Sequence, residues 1–201
     1  MNVIIDYDVG NLDSVLRGFE RAGIKSMISK DPLIIEKAAS LVLPGVGAFN
    51  EAMLSLKKTG LIPYIKAHIE SNKPLFGICL GMQLLFDSSD EFVLTEGLGF
   101  LKGSIKRLPI KEKIPHMGWN QLVFNQENHP VLKLIKPLDD VYFVHSYYVE
   151  CEDDLVVAYA DYGVNVPAIV TKDNIIATQF HPEKSADVGE AILKAYKEMI
   201  K

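Results

Sequence analysis

The chain has 201 residues and a formal charge of −5, with 48% hydrophobic and 23% charged residues. That suits one folded domain over residues 1–201 and argues against disorder. It also argues against a nucleic-acid binder, since no basic stripe interleaves with aromatics. No apolar run approaches bilayer length and "MNVIIDYDVGN" lacks a basic leader region, which points to a cytoplasmic protein.

The first half alternates short apolar runs with helical periods. "NVIID" predicts a strand, "LDSVLRGFERAG" a helix ending at Gly23, and "IKSMIS" a second strand. Asp31-Pro32 is a helix cap followed by proline at the first helical position. "SLVLP" predicts a third strand, "AFNEAMLSLKKTG" and "LIPYIKAHIESN" two helices, and "PLFGI" a fourth strand leading into the helix "LGMQLLFDSS". Such alternation specifies parallel βαβ units with helices on both faces. From about Gly99 the segments become turn-rich: "FLKGSIKRLP", "QLVF", "DVYFVHSYYVE", "LVVAYADYG", "VPAIVTKDN" and "IIATQF", with a hairpin at Lys172-Asp173-Asn174 and a closing helix "ADVGEAILKAYKEMIK". The expected fold is α/β, a doubly wound, mostly parallel sheet with antiparallel additions on one side.

Cysteine is usually a small buried hydrophobe, and neither Cys79 nor Cys151 lies in a C-x-x-C pair, so neither a disulfide framework nor a zinc ribbon is indicated. Cys79, however, sits in Gly77-Ile78-Cys79-Leu80-Gly81 at the carboxyl end of a parallel strand, where α/β proteins place their sites. G-x-C-x-G is the thiol counterpart of the nucleophile elbow. Flanking glycines let the strand turn sharply, and the helix start favours a thiolate and offers an N–H to an oxyanion.

A thiolate enzyme wants a base with an orienting partner. His68 falls on a helix, at its surface by this reading, and His129 precedes Pro130 in a polar loop. His116 and His145 lack a carboxylate two residues on, whereas His181 has Glu183 in "QFHPEKS". Residues i and i+2 of extended backbone share a side, so Glu183 would hold one imidazole nitrogen and leave the other for the thiol. H-x-E also reads as a strand-end histidine beside a surface glutamate. The zinc deaminase reading fails for want of P-C-x-x-C downstream. Pro44-Gly45-Val46-Gly47 joins a strand to a helix, and its glycines allow N–H groups to point into a site.

In this order and spacing, P-G-V-G, G-I-C-L-G-M-Q and Q-F-H-P-E-K-S resemble the triad (class I) glutamine amidotransferases over nearly the whole chain. The resemblance implies glutamine hydrolysis through a γ-glutamyl thioester, with Cys79 the nucleophile, His181 the general acid/base and Glu183 its orienter. It implies oxyanion N–H groups from Val46 and Leu80, and substrate binding by Gly45, Gly47, Gln83 and the backbone at Ser146 and Tyr147. No cofactor or metal is implied. "IPHMGWNQLVF" and "YFVHSYY" resemble, within that family, the glutaminase subunits of imidazole glycerol phosphate synthases. So does the opening "DYDVGNLDSV", except that Asp8 stands where a glycine is expected. This narrower likeness implies a heterodimer with a (β/α)₈-barrel cyclase that receives ammonia through a tunnel. Asn11, Met117, Trp119, Asn120, Tyr142 and Lys184 are then interface candidates, and the loop around Val46 is expected to rest misaligned until partner and ligand bind. The same chemistry could instead serve pyridoxal phosphate, anthranilate or surface-sugar synthesis. From another class, a non-catalytic flavodoxin-like interaction protein would keep the elbow as a relic.

Overall fold

The computed structural model of the chain describes residues 1–200. Its first half runs β1 (Asn2–Ile5), α1 (Leu12–Arg21), β2 (Ser26–Ser29), α2 (Pro32–Glu36), β3 (Ser40–Leu43), α3 (Phe49–Thr59), α4 (Ile62–Glu70), β4 (Leu75–Ile78) and α5 (Leu80–Leu84). The local signals act as the sequence predicts. The Asp31 side chain accepts from the Leu33 N–H with Pro32 in the first turn, and α1 runs out into Gly23 at φ +75°.

The second half contributes β5 (Ser88–Ser89), β6 (Thr95–Glu96), β7 (Ser104–Arg107), β8 (His116–Gln121), β9 (Val123–Phe124), β10 (Asp140–His145), β11 (Tyr147–Glu150), β12 (Val156–Asp161), β13 (Asn165–Lys172), β14 (Ile175–Thr178) and α6 (Ala186–Met199). The main sheet has the order β2-β1-β3-β4-β14-β13-β12-β9. Its β2-β1-β3-β4-β14 part is parallel and the rest antiparallel. The hairpin at Asp173 forms as expected, pairing Lys172 with Ile175.

Alternate residues of the parallel strands enter opposite cores. Val3, Ile5, Leu41 and Leu43 pack with Ile35, Phe49, Met53 and Ile65, from α2, α3 and α4. Ile4, Val42 and Phe76 pack with Phe19, Ile192 and Tyr196, from α1 and α6. Each such fully buried side chain contributes roughly 1.5–3 kcal/mol. The sheet is thus covered on both faces, which is why its strands read as continuous apolar runs.

Two features depart from the sequence reading. The antiparallel additions do not all join one sheet, because β8 and β10 form a two-stranded sheet while β11-β7-β5-β6 forms a four-stranded one. The run "DVYFVHSYYVE" is accordingly two strands, which part at Ser146 and pair with different partners. The helix after Cys79 is also short, five residues, before the chain turns into the small sheet.

Candidate active site

Cys79 follows β4 directly and has φ +52° and ψ −112°, a strained backbone for a residue with a side chain. The Thr178 carbonyl accepts the Cys79 N–H at 2.7 Å and pins the turn to β14. The flanking glycines are needed for space rather than for φ. A Cβ on Gly81 would lie 1.9 Å from the Leu43 carbonyl oxygen, and one on Gly77 would lie 3.0 Å from Ala177, Leu85 and Met82 atoms. The elbow is therefore wedged between its own helix and the end of β3.

His181 and Glu183 meet as a buried pair. The imidazole Nδ1–H donates to Glu183 Oε1 at 2.8 Å, with side-chain exposures of 3% and 2%. The route differs from simple alternation: His181 is extended, but Pro182–Lys184 curls into a 3₁₀ turn that swings the glutamate back. Ser185 fastens that turn by donating from Oγ to the His181 carbonyl at 2.7 Å. Gly18 in α1 makes room, since a Cβ there would stand 2.7 Å from Glu183 Cβ. His181 Nε2 is buried without a hydrogen-bond partner, and Cys79 lines the same cleft. Burial opposes charge on the imidazole, yet neighbouring Cys79 and Glu183 outweigh it and hold the His181 pKa well above its ordinary value. An imidazolium beside the sulfur supplies the positive charge that a thiolate needs. The Gln179 amide, fully buried, adds a donor 3.8 Å from Sγ.

A cleft of about 410 Å³ gathers Cys79, His181, Val46, Gly47, Leu80 and Gln83 with Ser146 and Tyr147. All but two of the catalytic and substrate residues read from the sequence line it; Glu183 stands behind His181, and Gly45 is the other. Gly45 lies beneath the loop: a Cβ there would meet Gly81 N at 2.7 Å and Tyr7 Oη at 2.8 Å. Only Gly47 uses glycine's freedom of backbone, at φ +93°. The Gln83 amide is already oriented, because Nε2 donates to the Tyr147 carbonyl and to Gln179 Oε1, both at 3.0 Å. A smaller cavity behind the triad is lined by His181, Glu183, Val46, Asn11 and Lys184.

Glu91 also lines the cleft and was missed by sequence reading, for it lies in an irregular loop without a motif. One carboxylate oxygen accepts the Phe49 N–H at 2.7 Å, and burial raises its pKa. Tyr7 was missed too: its buried hydroxyl donates to the Pro44 carbonyl at 2.5 Å and tethers the P-G-V-G loop. His68 does not lie at the helix surface where the sequence reading puts it. It is 3% exposed, not superficial, because Nε2 reaches back to the Pro74 carbonyl at 3.0 Å.

Among the interface candidates, Met117 and Trp119 are 61% and 55% exposed on β8, and Trp119 packs edge-on to Tyr142. The Tyr142 backbone bonds both His181 N–H and Ser185 Oγ, which brings that face next to exposed Lys184. Asn11 caps α1 by accepting the Ser14 N–H. The Asn120 amide is committed inward instead, donating to the Asp161 carbonyl at 2.9 Å.

A strained cysteine elbow, a histidine–carboxylate pair and a glycine loop at one sheet end define a triad amidohydrolase. The family profile described as "Glutamine amidotransferase class-I" matches residues 3–196, and the chain belongs to that family. It is 50% identical over 199 residues, 98% of each chain, to "Imidazole glycerol phosphate synthase subunit HisH" of Lactococcus lactis subsp. lactis (strain IL1403). It is 51% identical over 199 residues, again 98% of each chain, to the same-named subunit of Caldanaerobacter subterraneus subsp. tengcongensis (strain DSM 15242 / JCM 11007 / NBRC 100824 / MB4). Among solved structures, "Crystal structure of glutamine amidotransferase" aligns at a TM-score of 0.77 with 18% identity over 98% of each chain, a likeness of fold.

Proposed function

We infer that the chain is the glutaminase subunit of an imidazole glycerol phosphate synthase and serves histidine biosynthesis. The observation that carries the chemistry is the buried His181–Glu183 pair, whose imidazole lines one cleft with Cys79. Cys79 attacks the side-chain amide carbon of glutamine, and the oxyanion takes N–H groups from Val46 and Leu80. His181 protonates the amide nitrogen, the C–N bond breaks and ammonia leaves a γ-glutamyl thioester. Water, deprotonated by His181, attacks the thioester, and glutamate departs as the thiolate is restored.

The cleft also suits the rest of a glutamine zwitterion. The backbone at Ser146 and Tyr147 takes the carboxylate, and the free carboxylate oxygen of Glu91 takes the ammonium. With both Nε2 hydrogens engaged, Gln83 offers its Oε1 to the substrate. Gly47 borders the reacting amide. We place the domain, residues 1–201, in the cytoplasm as one half of a heterodimer with a (β/α)₈-barrel cyclase, which makes imidazole glycerol phosphate and aminoimidazole carboxamide ribonucleotide. Asn11, Met117, Trp119, Tyr142 and Lys184 form its contact face, and ammonia leaves through the cavity behind the triad.

The test is glutamate release from glutamine by the purified chain alone, with the cyclase, and with cyclase plus its nucleotide ligand. Strong stimulation that vanishes in Cys79→Ala is the expected result. Turnover that depends on Cys79 but ignores this cyclase would assign the chain to another synthase, and none in a proven complex would overturn the catalytic reading. The single tryptophan, Trp119, reports docking directly through its fluorescence on titration with the cyclase.

A further inference from the structure

Two buried histidines beside the triad take no part in the chemistry above. His116 and His145 are 2% and 7% exposed, and their rings meet at 3.0 Å between His116 Nδ1 and His145 Nε2. His116 is stacked between Phe143 and Tyr162, at centroid distances of 4.6 and 3.9 Å. His145 Nδ1 lies 2.9 Å from the Tyr147 carbonyl, and His116 Nε2 lies 3.2 Å from Asn120 Nδ2.

These contacts fix every proton. The Tyr147 carbonyl only accepts, so His145 carries its hydrogen on Nδ1. His145 Nε2 is then bare and must receive one from His116 Nδ1. His116 Nε2 is bare in turn and receives one from Asn120. The far end demands the same sense independently: Asn120 Oδ1 accepts the Gln121 N–H at 2.8 Å, and Nδ2 faces the Asp161 carbonyl, so the amide cannot be turned over. An added proton on either ring would set two N–H groups against each other in a buried site. Burial accordingly lowers both pKa values, to about 4 for His116 and about 3 for His145.

The file ends on the carbonyl that the Gln83 amide also holds, at the point where the chain leaves one sheet for another. We propose that His145 and His116 are positioning residues for substrate. As two Nδ1–H imidazoles they pass one hydrogen-bond direction from Asn120 to the Tyr147 carbonyl, and so hold the Ser146–Tyr147 backbone ready for the glutamine carboxylate. The proposal rests on the reading of that backbone as the carboxylate site, and its first test is independent of turnover.

Nitrogen-15 NMR of the histidine-labelled full chain at neutral pH reads the tautomers. Both rings should show a protonated Nδ1 and a bare Nε2; an Nε2–H form or a charged ring at either position overturns the proposal. Kinetics in the complete synthase then separate positioning from packing. His116→Phe keeps the stacked ring but removes the donor, and should raise KM for glutamine about tenfold, one hydrogen bond's worth, with kcat within about twofold. His116→Asn loses ring volume but puts an amide N–H where Nδ1 stood, and should hold KM within about twofold. The opposite order, with the phenylalanine variant normal and the asparagine variant impaired, would make the role one of packing and sink the proposal. Loss of all turnover in Cys79→Ala bears on the triad alone.

Discussion

The elbow at Cys79 and the loop at Val46 line the same cleft, yet they are held in opposite ways. The elbow is fixed by contact: Gly81 touches the end of β3, Gly77 touches β14, and the Cys79 N–H is bonded across the sheet. The loop is fixed at its start and again where Glu91 takes the Phe49 N–H, but not between. Pro44 is tethered by Tyr7 and Gly45 is packed against Gly81, but Val46 is 43% exposed and Gly47 has nothing within 4 Å of a Cβ position. The Cys79 turn is therefore packed on both sides, while Val46 and Gly47 face open space. Under the function proposed above, that open stretch is the part of the oxyanion site left for the partner to set.

The fixed half should fail completely when its chemistry is altered without its shape. Glu183→Gln keeps the turn at Pro182–Lys184 but offers the imidazole an amide, so the wrong tautomer is available to Cys79. Stimulated kcat should fall on the order of 10²–10⁴-fold with the fold intact by circular dichroism. A loss below about tenfold would remove Glu183 from the triad.

The contrast between elbow and loop is tested by two alanines. Gly81→Ala drives a methyl group into the Leu43 backbone carbonyl, which has nowhere to go, and should cost about 3 kcal/mol or more in urea unfolding. Gly47→Ala meets open space and pays only for its left-handed φ, about 1–2 kcal/mol. Its effect should appear mainly as a changed ratio of partner-stimulated to basal glutaminase activity. Equal destabilisation by the two would show that the loop is as tightly held as the elbow.

Charge divides the fixed half as well. His181 gains stability from its charged form, present below the unfolded value of 6.5 and lost as pH rises through its raised folded value. His116 has the opposite sign. The folded protein keeps it neutral, so stability is complete above 6.5 and declines as pH falls towards about 4. Between pH 7 and pH 5 this ring alone should remove roughly 2 kcal/mol. Urea midpoints at the two pH values measure it, and His116→Phe should flatten the slope; an unchanged slope would relieve His116 of responsibility.

How much of this was legible depends on the range of the interactions. The βαβ half could be read because its signals are local: apolar runs, the Asp31 cap and Gly23 at a helix end. The meeting of His181 with Glu183 near Cys79 could be read because H-x-E and G-x-C-x-G are short. The small sheets could not, since β8 turns apolar Met117 and Trp119 outward and His116 inward, and pairs with β10 only after an intervening segment of the chain. Nor could the His116–His145 contact, which that same pairing creates by setting the two residues in register. Tyr7 was hidden for a like reason: its partner is a carbonyl in the next βα turn, and a backbone acceptor leaves no trace in residue type.

Asp8 gives the finest test of the tethered part of the loop. It has φ +64°, which explains why a glycine is expected at this position: the αL region costs a side chain energy that glycine avoids. Aspartate tolerates it better than most, and here the Asp6 carboxylate accepts the Asp8 N–H at 3.1 Å. The Lys30 contact, at 4.0 Å between side chains 66% and 73% exposed, adds little. Asp8→Gly should therefore stabilise the fold slightly, by about 0.5 kcal/mol after glycine's greater unfolded entropy, or roughly 1–2 °C in Tm. Since Asp8 adjoins Tyr7, kinetics sharpen the result. Unchanged basal and stimulated activity would mean that the tether is set by the buried Tyr7 hydroxyl alone. A raised basal rate would mean that strain at Asp8 helps hold Pro44, and with it the resting position of Val46.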